Sequence, residues 1–301
     1  ILAYKDGQNF ISDQLQSIVG QQHQDFHINL FNDCPDRRFD ESILLEVALP
    51  EEKITIINNE HNLGYCMNFL NGLKRSSDKY DYYSFCDQDD IWYSNKISRA
   101  INALSQYPDG IPCLYCSRTE LVDASGDTHL GYSPHFKKTP GFTNALMQNI
   151  GGGNTMIMNR SARQLIIDAS RDVAVISHDW WAYIVVSGTG GVVIYDPEPT
   201  LKYRQHGQNL IGRNNGWGDR FRRIIMLLQG QYRIWNEKHV AALNASKDLL
   251  SDQNRQVFDL FVEARQATLL RRFVLFIKAG FHRQTLFGNI GLYVSVLLKK
   301  V

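Results

Sequence analysis

Beyond Glu263 the sequence holds no acidic residue, while Arg265, Arg271, Arg272, Lys278, Arg283, Lys299 and Lys300 are all basic. The whole chain hides that imbalance, because its 301 residues carry a formal net charge of only +1. Without a basic excess overall, the chain is not expected to bind nucleic acid. It also lacks an apolar run of spanning length. The uncharged stretch from Gln284 to Leu298 falls short of the roughly 20 residues that a transmembrane helix needs. No signal peptide is read at the start, which opens on "ILAYKDGQNF" as though a strand were already under way. Low-complexity tracts and repeats of fixed period are absent too.

Cysteine is scarce: Cys34, Cys66, Cys86, Cys113 and Cys116 make an odd count of five. Such thiols suit buried positions in a reducing cytoplasm better than a disulfide framework. Cys113 and Cys116 form a C-x-x-C, but no second pair or matching histidines complete a zinc site. What remains is the composition of a folded globular chain, 44% apolar and 21% charged, long enough for a sizeable core.

The first half alternates short apolar strands with helical spacings. Strands are expected at 1–3, 28–31, 54–57 and 82–86. Helical faces are expected from Ile11, Leu15, Ile18 and Val19, from Met67, Leu70 and Leu73, and from Ile97, Ile101 and Leu104. This alternation predicts a parallel sheet with helices on both faces. In the middle, "NIGGGNTMIMNR" predicts a glycine turn, a strand and a helix entry. "GVVIYDPEPTLKYRQHGQN" predicts two strands separated by a proline turn. From about Asn214 the pattern becomes long helices, with faces marked by Phe221, Ile224, Leu228 and Trp235 and by Val257, Leu260 and Phe261.

In open α/β sheets, ligands gather at the carboxyl ends of strands. Here those ends carry Asp6, Asn32 and Asp33, Asn59 and Glu60, and Asp87 and Asp89. An Asp-x-Asp after an apolar strand suits a hard divalent ion, Mg²⁺ or Mn²⁺, whose charge offsets the crowding of carboxylates. Asp90 is open to two readings, a third ligand or the cap of the helix carrying Ile97. Asp179, before Trp180 and Trp181 at a helix start, either caps that helix or acts as a general base. His206 and Arg204 alternate, so both face one side if their strand continues that far. Gly151 to Gly153 lack the spacing of a dinucleotide cradle.

The ordered set "LAYKDG", "NDCPD", "NNEHNLGYCMNFLNGL", "DYYSFCDQDDIW", "NIGGGNTM", "HDWW" and "YRQHGQN" resembles family 2 glycosyltransferases of the GT-A fold. More narrowly it is similar to bacterial rhamnosyltransferase-type enzymes of surface polysaccharide synthesis. The resemblance covers residues 1 to 212 and extends loosely into the tail. It implies a Rossmann-like mixed sheet flanked by helices over 1–213, followed by a helical region over 214–301.

By position, the resemblance implies that Asp6, Asn32, Asp33, Asn62, Gly64, Asn68 and Asp87 bind the donor nucleotide. Asp87, Asp89 and His206 would hold the metal, and Asp179 would be the base. Gly152, Trp180, Trp181 and Arg204 would lie on the acceptor or diphosphate side. The first loop departs from the family's usual T-Y-N-G, reading Tyr4-Lys5-Asp6-Gly7. The second departs from D-D-G-S, reading Asn32-Asp33-Cys34-Pro35. The activity implied is inverting transfer of a sugar, first L-rhamnose from its dTDP form, to a hydroxyl of a lipid-linked saccharide. A metal-dependent nucleotide-sugar hydrolase and a catalytically silent binding module of an assembly complex are the alternatives. The basic, apolar segment 264–301 is expected to meet the cytoplasmic face of the cell membrane. Alternatively, its Leu269, Phe273, Phe276 and Ile277 pack on the catalytic domain or on another subunit.

Overall fold

The computed structural model of the chain describes residues 1–206 and 230–301. Three short apolar strands, β1 (Leu2–Tyr4), β2 (Ile28–Asn32) and β3 (Ile54–Asn58), pair in parallel in that order. The crossovers include α1 (Ile11–Val19), which buries Ile11, Leu15 and Ile18, and the short α2 (Ser42–Glu46). Helix α3 (Tyr65–Arg75) follows and buries Phe69, Leu70 and Leu73. Met67, expected on that face, is 44% exposed, because Asn68 turns inward beside Phe69 instead.

A second sheet has the order β4-β8-β6-β9-β5, with β7 on β6. Its strands are β4 (Tyr82–Ser84), β5 (Ile91–Trp92), β6 (Cys113–Val122), β7 (His129–Tyr132), β8 (Ile157–Asn159) and β9 (Val192–Arg204). The two sheets are stitched together just past β4, where Ala3 N donates to Cys86 O and Cys86 N to Ile1 O. The parallel arrangement thus holds for β1–β3 and for the β6–β9 pair, while the remaining pairs are antiparallel. The whole is a mixed sheet.

The expected proline turn within 192–204 is not there; β9 runs unbroken for 13 residues. Its register on β6 jumps from Ser117↔Asp196 to Arg118↔Pro199, so Pro197 and Glu198 bulge out of the ladder. A bulge is where a strand tolerates a residue with no N–H to donate.

Helices α4 (Lys96–Leu104), α5 (Phe142–Ala145), α6 (Arg160–Ala169) and α7 (His178–Gly188) cover this sheet. Every residue of α7 is buried. Among the described residues four more follow: α8 (Gln231–Ala245), α9 (Asp252–Gln266), α10 (Leu269–Ala279) and α11 (Leu286–Leu297). Phe258, Phe261, Phe276 and Phe281 of this region share one apolar cluster with Phe69, Phe85 and Trp181. Burying each such side chain contributes about 1.5–3 kcal/mol, so the helical region is held to the sheet layer by its core. The face expected at Phe221, Ile224 and Leu228, and the boundary expected at 213/214, lie outside the described residues. Cys113 and Cys116 fall in different clusters under β6, and all five cysteines are free thiols.

Candidate active site

The acidic turn after β4 is pinned from the first loop. Gln88 accepts from Lys5 N at 2.7 Å and donates to Lys5 O at 2.9 Å, a two-point clamp on the backbone after β1. Within this turn Asp89 meets a residue far away in sequence: His206 Nε2 lies 2.7 Å from Asp89 Oδ2. The imidazole stacks on Phe10 with ring centres 4.8 Å apart. Strand β9 brings His206 there by ending beside the turn. Arg204 is buried, donates to Ala124 O and Ser125 O, and pairs with Asp13. Its guanidinium thus braces the turn that joins β6 to β7.

Asp179 lies in the first turn of α7, where the helix dipole favours negative charge. Its carboxylate accepts from Trp180 N at 2.7 Å and from Asn149 Nδ2 at 2.9 Å. Asp87 senses all of this. Burial pushes its carboxyl up to about 8, with further contributions from the negative charges of Asp89 and Asp179. Three carboxylates from two elements therefore share one electrostatic site.

Asp90 turns the other way. It is fully buried and accepts from Asn154 Nδ2 at 2.7 Å. Beside it Lys96, also fully buried, donates to Asn154 O at 2.9 Å and lies 4.7 Å from the Trp92 ring centre. Helix α4 has Asn95 at its N-cap and no side-chain cap, so the capping reading of Asp90 is corrected. Asp90 instead ties the acidic turn to the glycine loop, and burial raises its carboxyl well above the usual range.

That loop is glycine for packing reasons. A Cβ on Gly153 would lie 2.2 Å from His178 Nε2, and one on Gly151 would lie 2.7 Å from Cys116 Cβ. Gly152 is exposed, beside the Asn154 side chain. His178 is sandwiched against Phe69 at 4.1 Å and Phe85 at 4.7 Å. His239 of α8 packs edge-on to Trp180 at 4.5 Å. Burial pushes both imidazoles down to about 4, so both are neutral at pH 7.

The tryptophans expected to face an acceptor belong to the core. Trp181 has no exposed surface and donates to Ser170 Oγ, and Trp180 donates to Ala145 O. The reason is that α7 is enclosed on all sides, which leaves Asp179 as the group at its head.

On the donor side the expected residues divide by exposure. Asp33 is buried and brackets the loop after β3, accepting from Asn59 Nδ2 (2.9 Å), Leu63 N (2.7 Å) and Gly64 N (2.9 Å). Asn68 accepts from Asn59 and donates to Phe31 O, and Asn32 donates to Arg37 O and Asn58 Oδ1. Asp6 and Asn62 remain exposed. Asp6 sits at a positive φ of 50°, which aspartate tolerates, and pairs with Arg37 across a half-exposed contact of little energetic weight. Gly64, at φ 75° and ψ 155°, holds a conformation almost confined to glycine, and Asn62 accepts from its N–H.

Among the described residues no group of three or more His, Cys, Asp or Glu stands ready to hold a metal alone. A Mg²⁺-like ion is often held by one or two carboxylates, with substrate phosphates and water completing the shell. Asp87 and Asp89, neighbours in one turn, meet that lesser requirement.

A mixed sheet, an Asp-x-Asp turn at a strand end, a histidine returned to that turn and a carboxylate heading a buried helix define a GT-A glycosyltransferase. The chain belongs to Glycosyl transferase family 2, whose profile matches residues 1–166. It is 28% identical over 249 residues to the dTDP-rhamnosyl transferase RfbG of Shigella flexneri, covering 77% of this chain and 81% of that protein. An uncharacterized glycosyltransferase of Rickettsia felis is 28% identical over 130 residues, 42% of this chain and only 20% of that longer protein. The crystal structure of S. aureus TarS 1-349 in complex with UDP-GlcNAc shares the fold. Its TM-score is 0.52 at 12% identity, over 99% of this chain and 89% of that one.

Sequence reasoning missed Gln88, Lys96, Asn149 and Asn154. The first two sit inside or just after the acidic motif, where a polar residue between aspartates offers a signal. The Asn149–Asp179 bond joins residues 30 apart on different elements, and nothing local announces it.

Proposed function

We propose that the chain moves a sugar, first L-rhamnose from its dTDP form, to a hydroxyl of a lipid-linked saccharide with inversion. The observation that carries this reading is the electrostatic grouping of Asp179 with Asp87 and Asp89. The Shigella relative, a dTDP-rhamnosyl transferase, supports the choice of donor. Asp87 and Asp89, with His206 against Asp89, would hold a divalent ion. Such an ion, when bound, supplies positive charge to the departing diphosphate.

Asp179 takes the proton of the acceptor hydroxyl while the oxygen forms its bond to the anomeric carbon. The bond from that carbon to the diphosphate oxygen breaks on the opposite face, and its electron pair leaves with the nucleotide. Asn149 and Trp180 N keep Asp179 aimed. Asp6, Asn62 and Gly64 line the nucleotide, while Asn32, Asp33 and Asn68 hold the loops that present them. The acceptor's lipid places the enzyme at the inner face of the cell membrane. No helix among the described residues is long and apolar enough to cross one.

The test is turnover of dTDP-rhamnose with Mn²⁺ by wild type, Asp89→Ala and Asp179→Ala, with and without acceptor. Loss of transfer in both variants is expected, with wild-type donor consumption dependent on acceptor. Acceptor-independent consumption points to a hydrolase. Unchanged transfer in Asp179→Ala overturns the base assignment.

A further inference from the structure

The last two helices are built inside out on one side. On α10, Arg272, Leu275 and Phe276 face the core, and Arg272 donates to Ala264 O, Ala267 O and Val296 O. The apolar residues at i, i+4 and i+7, Leu270, Val274 and Ile277, are 81%, 62% and 58% exposed. Helix α11 repeats the pattern. Leu292, Ser295 and Val296 face inward, while Leu286, Phe287 and Leu297 are 74%, 77% and 52% exposed.

These stripes meet. Phe273 and Tyr293 join the two helices with ring centres 5.4 Å apart. On a helix surface Phe273 neighbours Leu270 and Ile277, and Tyr293 neighbours Ile290 and Leu297. The result is one continuous outward apolar face, larger than the scattered exposed residues of an ordinary surface. The sequence expectation of packing is thus split: Phe276 is buried, whereas Leu269 and Ile277 are outside.

We infer that this face docks the enzyme on an anionic bilayer, lying in the interface rather than crossing it. Charge selects this occupant. Lys278 and Lys299 are exposed at the C-terminal ends of α10 and α11, and no carboxylate side chain follows Glu263. A second copy of this chain would bring the same positive sign against itself, whereas a surface of anionic lipid complements it. The helices span 11 and 12 residues, about 16–18 Å, against a hydrocarbon core of about 30 Å. An amphipathic helix of that size settles with its apolar face among the acyl chains and its cations at the headgroups.

The inference deepens the proposed use of a lipid-linked acceptor, but its test needs no turnover. The full chain is floated with vesicles of phosphatidylcholine alone and with added phosphatidylglycerol, beside Leu270→Glu/Phe287→Glu and Lys278→Glu/Lys299→Glu variants. Both pairs are exposed, so each variant is expected to keep the wild-type circular dichroism and its activity on a water-soluble acceptor. Wild type should float with anionic vesicles, and the apolar variant should lose at least roughly tenfold in partition. The charge variant should lose its preference for anionic over neutral lipid. Equal partition of wild type and the apolar variant overturns the inference. So does a wild-type dimer that the apolar variant dissociates while neither binds vesicles. Loss of turnover with flotation intact would instead count against the proposed reaction alone.

Discussion

Replacing Asp33 with alanine separates a bracket from a ligand contact. Its carboxylate accepts three hydrogen bonds, from Asn59 Nδ2, Leu63 N and Gly64 N. Gly64 is exposed and Leu63 half-buried, so water can replace two of these bonds at about 0.5–1 kcal/mol each. Asn59 is only 7% exposed, and its amide, keeping only the bond to Asn68, costs about 1–2 kcal/mol more. The total is about 3 kcal/mol, a fall in Tm of about 5–10 °C for a chain of this size. Asp33→Asn keeps an acceptor oxygen but turns an NH₂ toward donors, so it should recover roughly half of the loss. Thermal unfolding by circular dichroism, with and without dTDP, reads both quantities. If Asp33→Ala melts within about 1 °C of wild type yet no longer responds to dTDP, the carboxylate is a ligand contact and the bracketing argument fails.

Two further outcomes follow from burial near Asp179. Since His178 and His239 are held near 4 in the folded chain, the unfolded chain binds more protons between about 6.5 and 4. Stability is therefore complete above that window and falls as pH drops through it. Urea midpoints should decline less steeply in His239→Phe than in wild type, and parallel declines would refute the assignment. Gly153→Ala places a methyl 2.2 Å from His178 Nε2 and should cost about 1–3 kcal/mol. In a urea double-mutant cycle, His178→Ala should relieve part of that cost, and strict additivity would show that the two residues do not clash.

Local pattern reached far into this fold where helix and strand periods are clean. Ile11, Leu15 and Ile18 announced α1, and the strand ends pointed to the edge where Asp87, Asp89 and Asp33 lie. It failed at β9, because a proline reads as a break unless the neighbouring strand is known to bulge with it. The resemblance, in turn, put Trp181 on the acceptor side, whereas α7 has no outward face for it to occupy. Asp90 was undecidable from its neighbours: Asn154, which settles its direction, lies 64 residues on and reaches it only through tertiary packing.

The enclosure of α7 bears on how such an enzyme changes its preferences. A carboxylate mounted on a fully jacketed rod cannot be re-aimed by substitutions at the protein surface, and core substitutions that tilt the rod are paid in folding. Under the proposed mechanism, variation among acceptors is then written in the loops that would bring the hydroxyl to Asp179. An effort to redirect this catalyst should leave residues 178–188 alone and diversify the rim around them.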